Sequence, residues 1–216
     1  SGISVSNLGH SNPAIVNAVR QQAEKHMHLM VYGEIIQSPQ VLLAQTLAQH
    51  LPPSLSAVYF VNSGSEAIEG AMKLAKRATG RHRFVAQNLA YHGSTQGALS
   101  LMSDAYFSNA FRPLLPGVSF INQNAIDEID ALITTDTAAV FIEPVMGEKG
   151  YEPCDIQYLK AIRKRCNETG ALLVFDEIQT GFGRTGSRSR PSAFPADGRR
   201  DALRVDPQLT QHPRDG

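Results

Sequence analysis

Four short clusters carry the side chains whose types and spacing could do chemistry. Ser63-Gly64-Ser65-Glu66 lies between an apolar run and a strong helical pattern. Ser63 and Glu66 have the S-x-x-E spacing of a capping box, in which hydroxyl and carboxylate each satisfy an unpaired N–H. Two hydroxyls and a Gly at a helix start also make a phosphate cradle, because free N–H groups and the helix dipole face the ligand. Taken alone, such a cluster is more often a cap. Tyr91-His92-Gly93 sets a flat ring beside a His and a flexible Gly. A ring so placed either packs on its own loop or covers one face of a planar cofactor. Glu143-Pro144-Val145-Met146-Gly147-Glu148 and Asp176-Glu177-Ile178-Gln179 put carboxylates at the ends of apolar runs. An unpartnered carboxylate there is costly. A salt bridge or a helix cap answers that cost, and so does a protonated heterocyclic nitrogen facing Asp176.

A further run, Gly181-Phe182-Gly183-Arg184-Thr185-Gly186, matches the G-x-G-x-x-G dinucleotide pattern. That fingerprint needs the glycines to turn directly from a strand into a helix. Here Asp176 to Thr180 intervene, and Ser187-Arg188-Ser189-Arg190-Pro191 is no helix former. The run is a decoy.

These clusters need elements to hold them. Asn12-Pro13 opens a helical pattern with Ile15, Val16, Val19 and Ala23 on one face, and Ser38-Pro39 opens a second with Val41, Leu42, Ala44, Leu47 and Ala48. Further helices are expected from Glu66 to Ala78, stopped by Gly80, near Ala125 to Ile133, and from Asp155 to Glu168, stopped by Gly170. Strands are expected at Ala57–Val61, Phe84–Ala86, Val118–Ile121, Ala138–Ile142 and Ala171–Phe175. Near-continuous apolar strands alternating with amphipathic helices predict an α/β fold with a mostly parallel sheet flanked by helices. Three of the clusters follow the carboxyl ends of strands, where open α/β sheets bind ligands. They describe one edge of one cleft.

Composition narrows the class. The 216 residues are 42% hydrophobic and 19% charged, with 20 basic and 20 acidic side chains. A zero net charge argues against nucleic-acid or anionic-membrane partners, which select a basic excess. No apolar run approaches the roughly 18 residues that span a bilayer. The start, Ser1 to Asn7, has no basic n-region before an apolar core, so it is not a secretory signal, and it lacks an initiator Met. Cys154 and Cys166 fit two reduced thiols in a cytoplasmic protein better than a disulfide framework or a metal site. From Arg188 to Gly216 there are six Arg, four Asp, four Pro and no Lys, with no strand or helix period. The reading divides the chain into a domain at 1–187 and a disordered tail at 188–216 that supplies no core element.

Together the segments resemble the class III pyridoxal-phosphate-dependent aminotransferases, nearest the acetylornithine and ornithine aminotransferase branch. The resemblance is carried by Asn7-Leu8-Gly9-His10-Ser11-Asn12-Pro13, Asn62-Ser63-Gly64-Ser65-Glu66-Ala67, Tyr91-His92-Gly93-Ser94-Thr95, Glu143-Pro144-Val145 and Asp176-Glu177-Ile178-Gln179-Thr180-Gly181. They stand in family order and at family spacing, over residues 1 to about 187. The resemblance implies an incomplete fold type I large domain that binds pyridoxal 5'-phosphate. It implies that Ser63, Gly64 and Ser65 hold the phosphate. Tyr91 would stack on one ring face with His92 beside it, and Ile178 would cover the other. Asp176 would pair with the ring nitrogen and Gln179 with the ring hydroxyl. Glu143 would lie near cofactor and substrate, Glu148 at the entrance. It further implies a homodimer with the site at the subunit interface, acting on an amino donor and a 2-oxo acid acceptor.

One departure matters most. The family's Schiff-base Lys lies roughly thirty residues beyond the Asp matching Asp176 and also shuttles the proton. Here the last Lys is Lys164, and family spacing lands near Val205. No catalytic residue can be named. Three functions remain at this stage: an aminotransferase by ancestry, inactive as this chain; a non-catalytic remnant that binds pyridoxal phosphate or a partner subunit; and, on the decoy glycines only, a dinucleotide oxidoreductase.

Overall fold

The computed structural model describes residues 2–3, 6–30, 34–185 and, as backbone, 203–205. Each helix start and stop follows from local chemistry. The first helix, α1 (Pro13–Lys25), has Pro in its first turn and an Asn12 side chain accepting from the Ala14 N–H. The second, α2 (Ser38–His50), also begins with Pro in its first turn. The long α3 (Gly64–Thr79) is capped by Ser63 and ended by Gly80 at φ 69°, a left-handed conformation that suits Gly. Then follow β1 (Arg83–Gln87), the short helices α4 (Gln96–Ser100) and α5 (Ala105–Ser108), and β2 (Val118–Ile121). A 3-10 turn at Ile126–Glu128 leads into α6 (Ile129–Leu132), then β3 (Thr137–Ile142). A small antiparallel pair, β4 (Val145–Met146) and β5 (Glu152–Pro153), precedes α7 (Ile156–Thr169), β6 (Leu172–Asp176) and β7 (Leu203–Val205).

The main sheet has the order β2-β1-β3-β6-β7 and every described pairing in it is parallel. At its centre β3 is buried at all six residues. Its side chains alternate between two cores. Val140 and Ile142 join Tyr158, Leu159 and Ile162 of α7 on one face. Ala139 and Phe141 join Ile68, Met72 and Ala75 of α3 on the other, where Phe84 and Phe141 meet edge-on. The expected parallel α/β sheet with helices on both faces is present.

Three expectations need correction. Residues 57–61, apolar enough to read as a strand, form none among the described residues, and Tyr59 is 83% exposed. A strand exists only where a neighbour completes its ladder, and no described pairing reaches this segment. Both α1 and α2 form, but neither buries a residue, and Val16 and Val19 on the anticipated apolar face are more than half exposed. The tail expectation falls mostly outside the described residues. Where it can be compared, Leu203–Val205 pairs with Val174, Phe175 and Asp176 of β6, so this stretch does supply a sheet strand. The free edge of β6 offers the donors and acceptors, and these three residues contain no Pro to break the ladder.

Candidate active site

Parallel pairing sends the ends of β1, β3 and β6 to the same edge of the sheet. Ile142 pairs with Phe175, so Glu143 and Asp176 each lie one step beyond that pair on neighbouring strands. The loop after β1 brings Tyr91 and His92 to this edge. His92 and Asp176 are both buried, and His92 Nδ1 lies 2.9 Å from Asp176 Oδ2. A carboxylate only accepts, so Nδ1 carries the hydrogen. The other Asp176 oxygen, Oδ1, accepts from the Ile178 N–H at 3.1 Å. The carboxylate is thus held by two donors, and each oxygen keeps a lone pair for a ligand. His92 Nε2 is buried without a partner, and the ring meets Phe141 edge-on.

Glu143 is buried, and its Oε2 has no partner. Burial pushes its carboxyl well above the usual carboxylate range, and the charges of Asp176 and then Glu148 add to the rise. The N–H groups of Gly147 and Tyr91 offset part of it.

At the start of α3 the Ser63 half of the capping box forms, and Glu66 reaches one residue further back than the box requires, to Asn62. The Ser63 hydroxyl accepts from the Glu66 N–H, and Glu66 accepts from the Asn62 N–H at 2.7 Å. A Cβ on Gly64 would lie 2.4 Å from Ile178 Cδ1, so the Ile178 side chain rests against this turn. A Cβ on Gly93 would lie 2.2 Å from Ser65 Oγ, and the Ser94 N–H donates to the same hydroxyl. The two loops meet only because Gly93 has no side chain. Its φ of 127° makes the same demand. Gln179 lies over Gly147, whose Cβ would meet Gln179 Oε1 at 2.0 Å, and that oxygen is buried without a partner.

The structure brings together Ser63, Gly64, Ser65, His92, Glu143, Asp176, Ile178 and Gln179 around one sheet edge. Tyr91 is there too, but its exposed ring packs edge-on against Phe107. Glu148 is exposed on the loop between β4 and β5. The glycine run after Gln179 forms turns through Thr185, with no helix, as a decoy should. Its turn is instead clasped to the N-terminal segment, where the Asn7 side chain bonds Phe182 O and Arg184. Sequence reasoning missed Gln87 and Cys154, which bracket Glu143 from behind. A polar residue ending an apolar strand was the available signal for Gln87. Nothing in the sequence pointed to its partner 67 residues on.

Pyridoxal phosphate fits these residues. An unpartnered buried amide oxygen on Gln179, spare lone pairs on Asp176 and the glycine-cleared turn before α3 match a planar ring with one phosphate.

Comparison with known proteins points the same way. A family model described as aminotransferase class-III matches residues 1–188. Acetylornithine aminotransferase of Methanosarcina mazei is 46% identical over 189 residues, covering 86% of this chain and 46% of that protein. Among solved structures, adenosylmethionine-8-amino-7-oxononanoate aminotransferase from Methanocaldococcus jannaschii superposes with a TM-score of 0.80 at 32% identity. That match covers 85% of this chain and 45% of the other. Ornithine aminotransferase from Toxoplasma gondii, described with partial occupancy of PLP at its active site, matches at a TM-score of 0.75 and 29% identity. It covers 87% of this chain and 46% of that one. The chain spans a little under half the length of these relatives. Among the described residues no helix is long and apolar enough to cross a membrane.

Proposed function

The chain belongs to the class-III aminotransferases, and on that footing we propose that it forms the cofactor-cradling part of a pyridoxal-phosphate-dependent transaminase. The reaction moves an amino group from an amino acid or amine to a 2-oxo acid. The observation that carries the reading is the meeting, at one sheet edge, of the glycine-cleared α3 start with Asp176 and Gln179. Bound there, pyridoxal phosphate supplies the electron sink that stabilises negative charge on a substrate carbon. The chain's own groups bind and orient. The α3 N-terminus with Ser63, Gly64 and Ser65 takes the phosphate, where free N–H groups and the helix dipole favour an anion. Asp176, oriented by His92, holds a ring N–H charged. Gln179 meets the ring hydroxyl, and Tyr91 and Ile178 cover the ring faces. Glu143 holds a proton near the substrate carbon, and Glu148 stands at the mouth.

A second reading concerns turnover. All six lysines, Lys25, Lys73, Lys76, Lys149, Lys160 and Lys164, are exposed, and none is buried beside Asp176 and Glu143. This favours a chain that binds the cofactor without a covalent bond and does not transaminate by itself. A homodimer with the site at its interface agrees with the bare apolar faces of α1 and α2. A cytoplasmic location agrees with the free thiols of Cys154 and Cys166.

Titration with pyridoxal phosphate, followed by its absorbance, should show saturable binding. Asp176→Asn should weaken that binding about tenfold or more, the loss of one charge-assisted hydrogen bond. Borohydride reduction and mass spectrometry should leave no stoichiometric lysine adduct. Binding indifferent to Asp176→Asn would overturn the placement of the ring, and a clean adduct at one of the six lysines would overturn the non-covalent reading.

A further inference from the structure

The backbone of Glu143 sits where the sheet runs out. On β3 the ladder with β1 ends at the Ala86–Phe141 pair, two residues before Glu143. On its other edge β1 pairs with β2 one residue further, to Gln87 opposite Ile121. A buried N–H and C=O beyond a ladder need partners from elsewhere. Two side chains provide them. Gln87 Oε1 accepts from the Glu143 N–H at 3.1 Å. The Cys154 thiol donates to Glu143 O at 3.4 Å. Gln87 Nε2 then donates to Cys154 Sγ at 3.1 Å, which closes a ring of three hydrogen bonds around one residue. Both side chains are buried. The thiol is placed in turn by its own backbone, whose N–H donates to Pro144 O and so extends the β4–β5 pairing.

We propose that Gln87 and Cys154 are positioning residues for the site, fixing the main chain of Glu143 so that its carboxyl is held in the buried cleft beside Asp176. Gln87 supplies an acceptor and a donor from one amide, and Cys154 is small enough to donate and accept at one atom. Removing either opens the ring, leaves a polar backbone group of Glu143 unmatched and lets the strand end swing toward water. The groups facing the carboxyl are Asp176 with His92 bound to it, Glu148, and the N–H groups of Gly147 and Tyr91. None of them belongs to the ring, so opening it changes where Glu143 sits and not what surrounds the cleft. The inference rests on the proposed function only for what Glu143 then faces.

The test reads Glu143 directly in the full chain without cofactor. Carbon-13 NMR of protein labelled at glutamate Cδ, with the signal assigned by its loss in Glu143→Gln, follows the titration of this carboxyl. In the unaltered chain it should titrate above the ordinary glutamate range. Gln87→Met, near in size but without polar atoms, should bring it down by about one unit or more toward the free value. Cys154→Ala should do the same, and Cys154→Ser, which restores a donor and acceptor, should return it. A mere loosening of the core would lower the melting temperature and leave this titration in place, and that result overturns the proposal. If Gln87→Met does not fold, the contrast between Cys154→Ala and Cys154→Ser decides on the same signal. Pyridoxal phosphate affinity is measured alongside. A titration that moves while affinity stays constant supports the positioning and counts against the cofactor reading alone.

Discussion

At the scale of the residue, the cleft concentrates buried groups that do not balance within the chain. Glu143 and Asp176 end neighbouring strands; Asp176 is held by His92 and the Ile178 N–H, while one oxygen of the buried Glu143 carboxyl has no partner. Burial first and the Asp176 charge second keep the Glu143 proton bound above its ordinary pH range. The folded chain then binds more protons than the unfolded chain over that window, so stability falls as pH rises through it. Below the ordinary glutamate pKa of about 4.3 the carboxyl is neutral in both states and costs nothing. Glu143→Gln removes the ionisable group. Its urea midpoint relative to the parent chain should therefore rise with pH from about 4 upward and be nearly level below that. A difference that is flat across this range would show that Glu143 is not buried as described.

At the scale of the element, the site depends on how helix ends are tied across loops. The start of α3 is satisfied from within by Ser63 and Glu66. The start of α4 is not. Glu69, one turn further along α3, reaches across and accepts from the Thr95 hydroxyl and the Gly97 N–H at 2.8 Å, and from the Ala98 N–H at 3.2 Å. The approach is close, since a Cβ on Gly97 would lie 2.2 Å from Glu69 Oε2. One carboxylate therefore caps another helix and pins the loop that carries Tyr91 and His92. Glu69→Ala should cost about 2 kcal/mol in chemical unfolding, the sum expected for a lost cap and a charged acceptor. Glu69→Gln, which keeps an acceptor, should cost less than half of that. Equal and negligible costs for both would mean that α4 caps itself.

At the scale of the whole molecule, stability is unevenly spread. The sheet and its two cores account for most of the buried apolar residues, with β3 enclosed on every side chain. By contrast α1 and α2 are 13 residues each and bury none. Isolated helices of that length are marginal in water. Amide hydrogen exchange of the chain should find β3 protected to the global unfolding free energy, about 5 kcal/mol or more. In the chain as a monomer, amides of α1 and α2 should be protected by no more than ~1–2 kcal/mol, as in frayed segments. Protection of the two helices as strong as that of β3 would mean that another surface covers them in solution.

How much was legible beforehand follows the range of the interactions. Caps and stops act within three or four residues, so Ser63, Glu66, Gly80 and Gly170 announced α3 and α7 to within two residues. Apolar runs likewise marked four of the five main-sheet strands, and the carboxylates ending them marked the cleft. The tertiary structure decided the rest. Residues 57–61 have strand composition but no ladder, and Leu203–Val205 has a ladder without a strand pattern. His92 meets Asp176 across 84 positions, and Gln87 meets Cys154 across 67. A strand and a hydrogen-bond ring exist only when a partner arrives. Which residue arrives is set by how the strands stack, because a ladder or a buried donor recognises any matching group at the right distance, whatever its place along the chain.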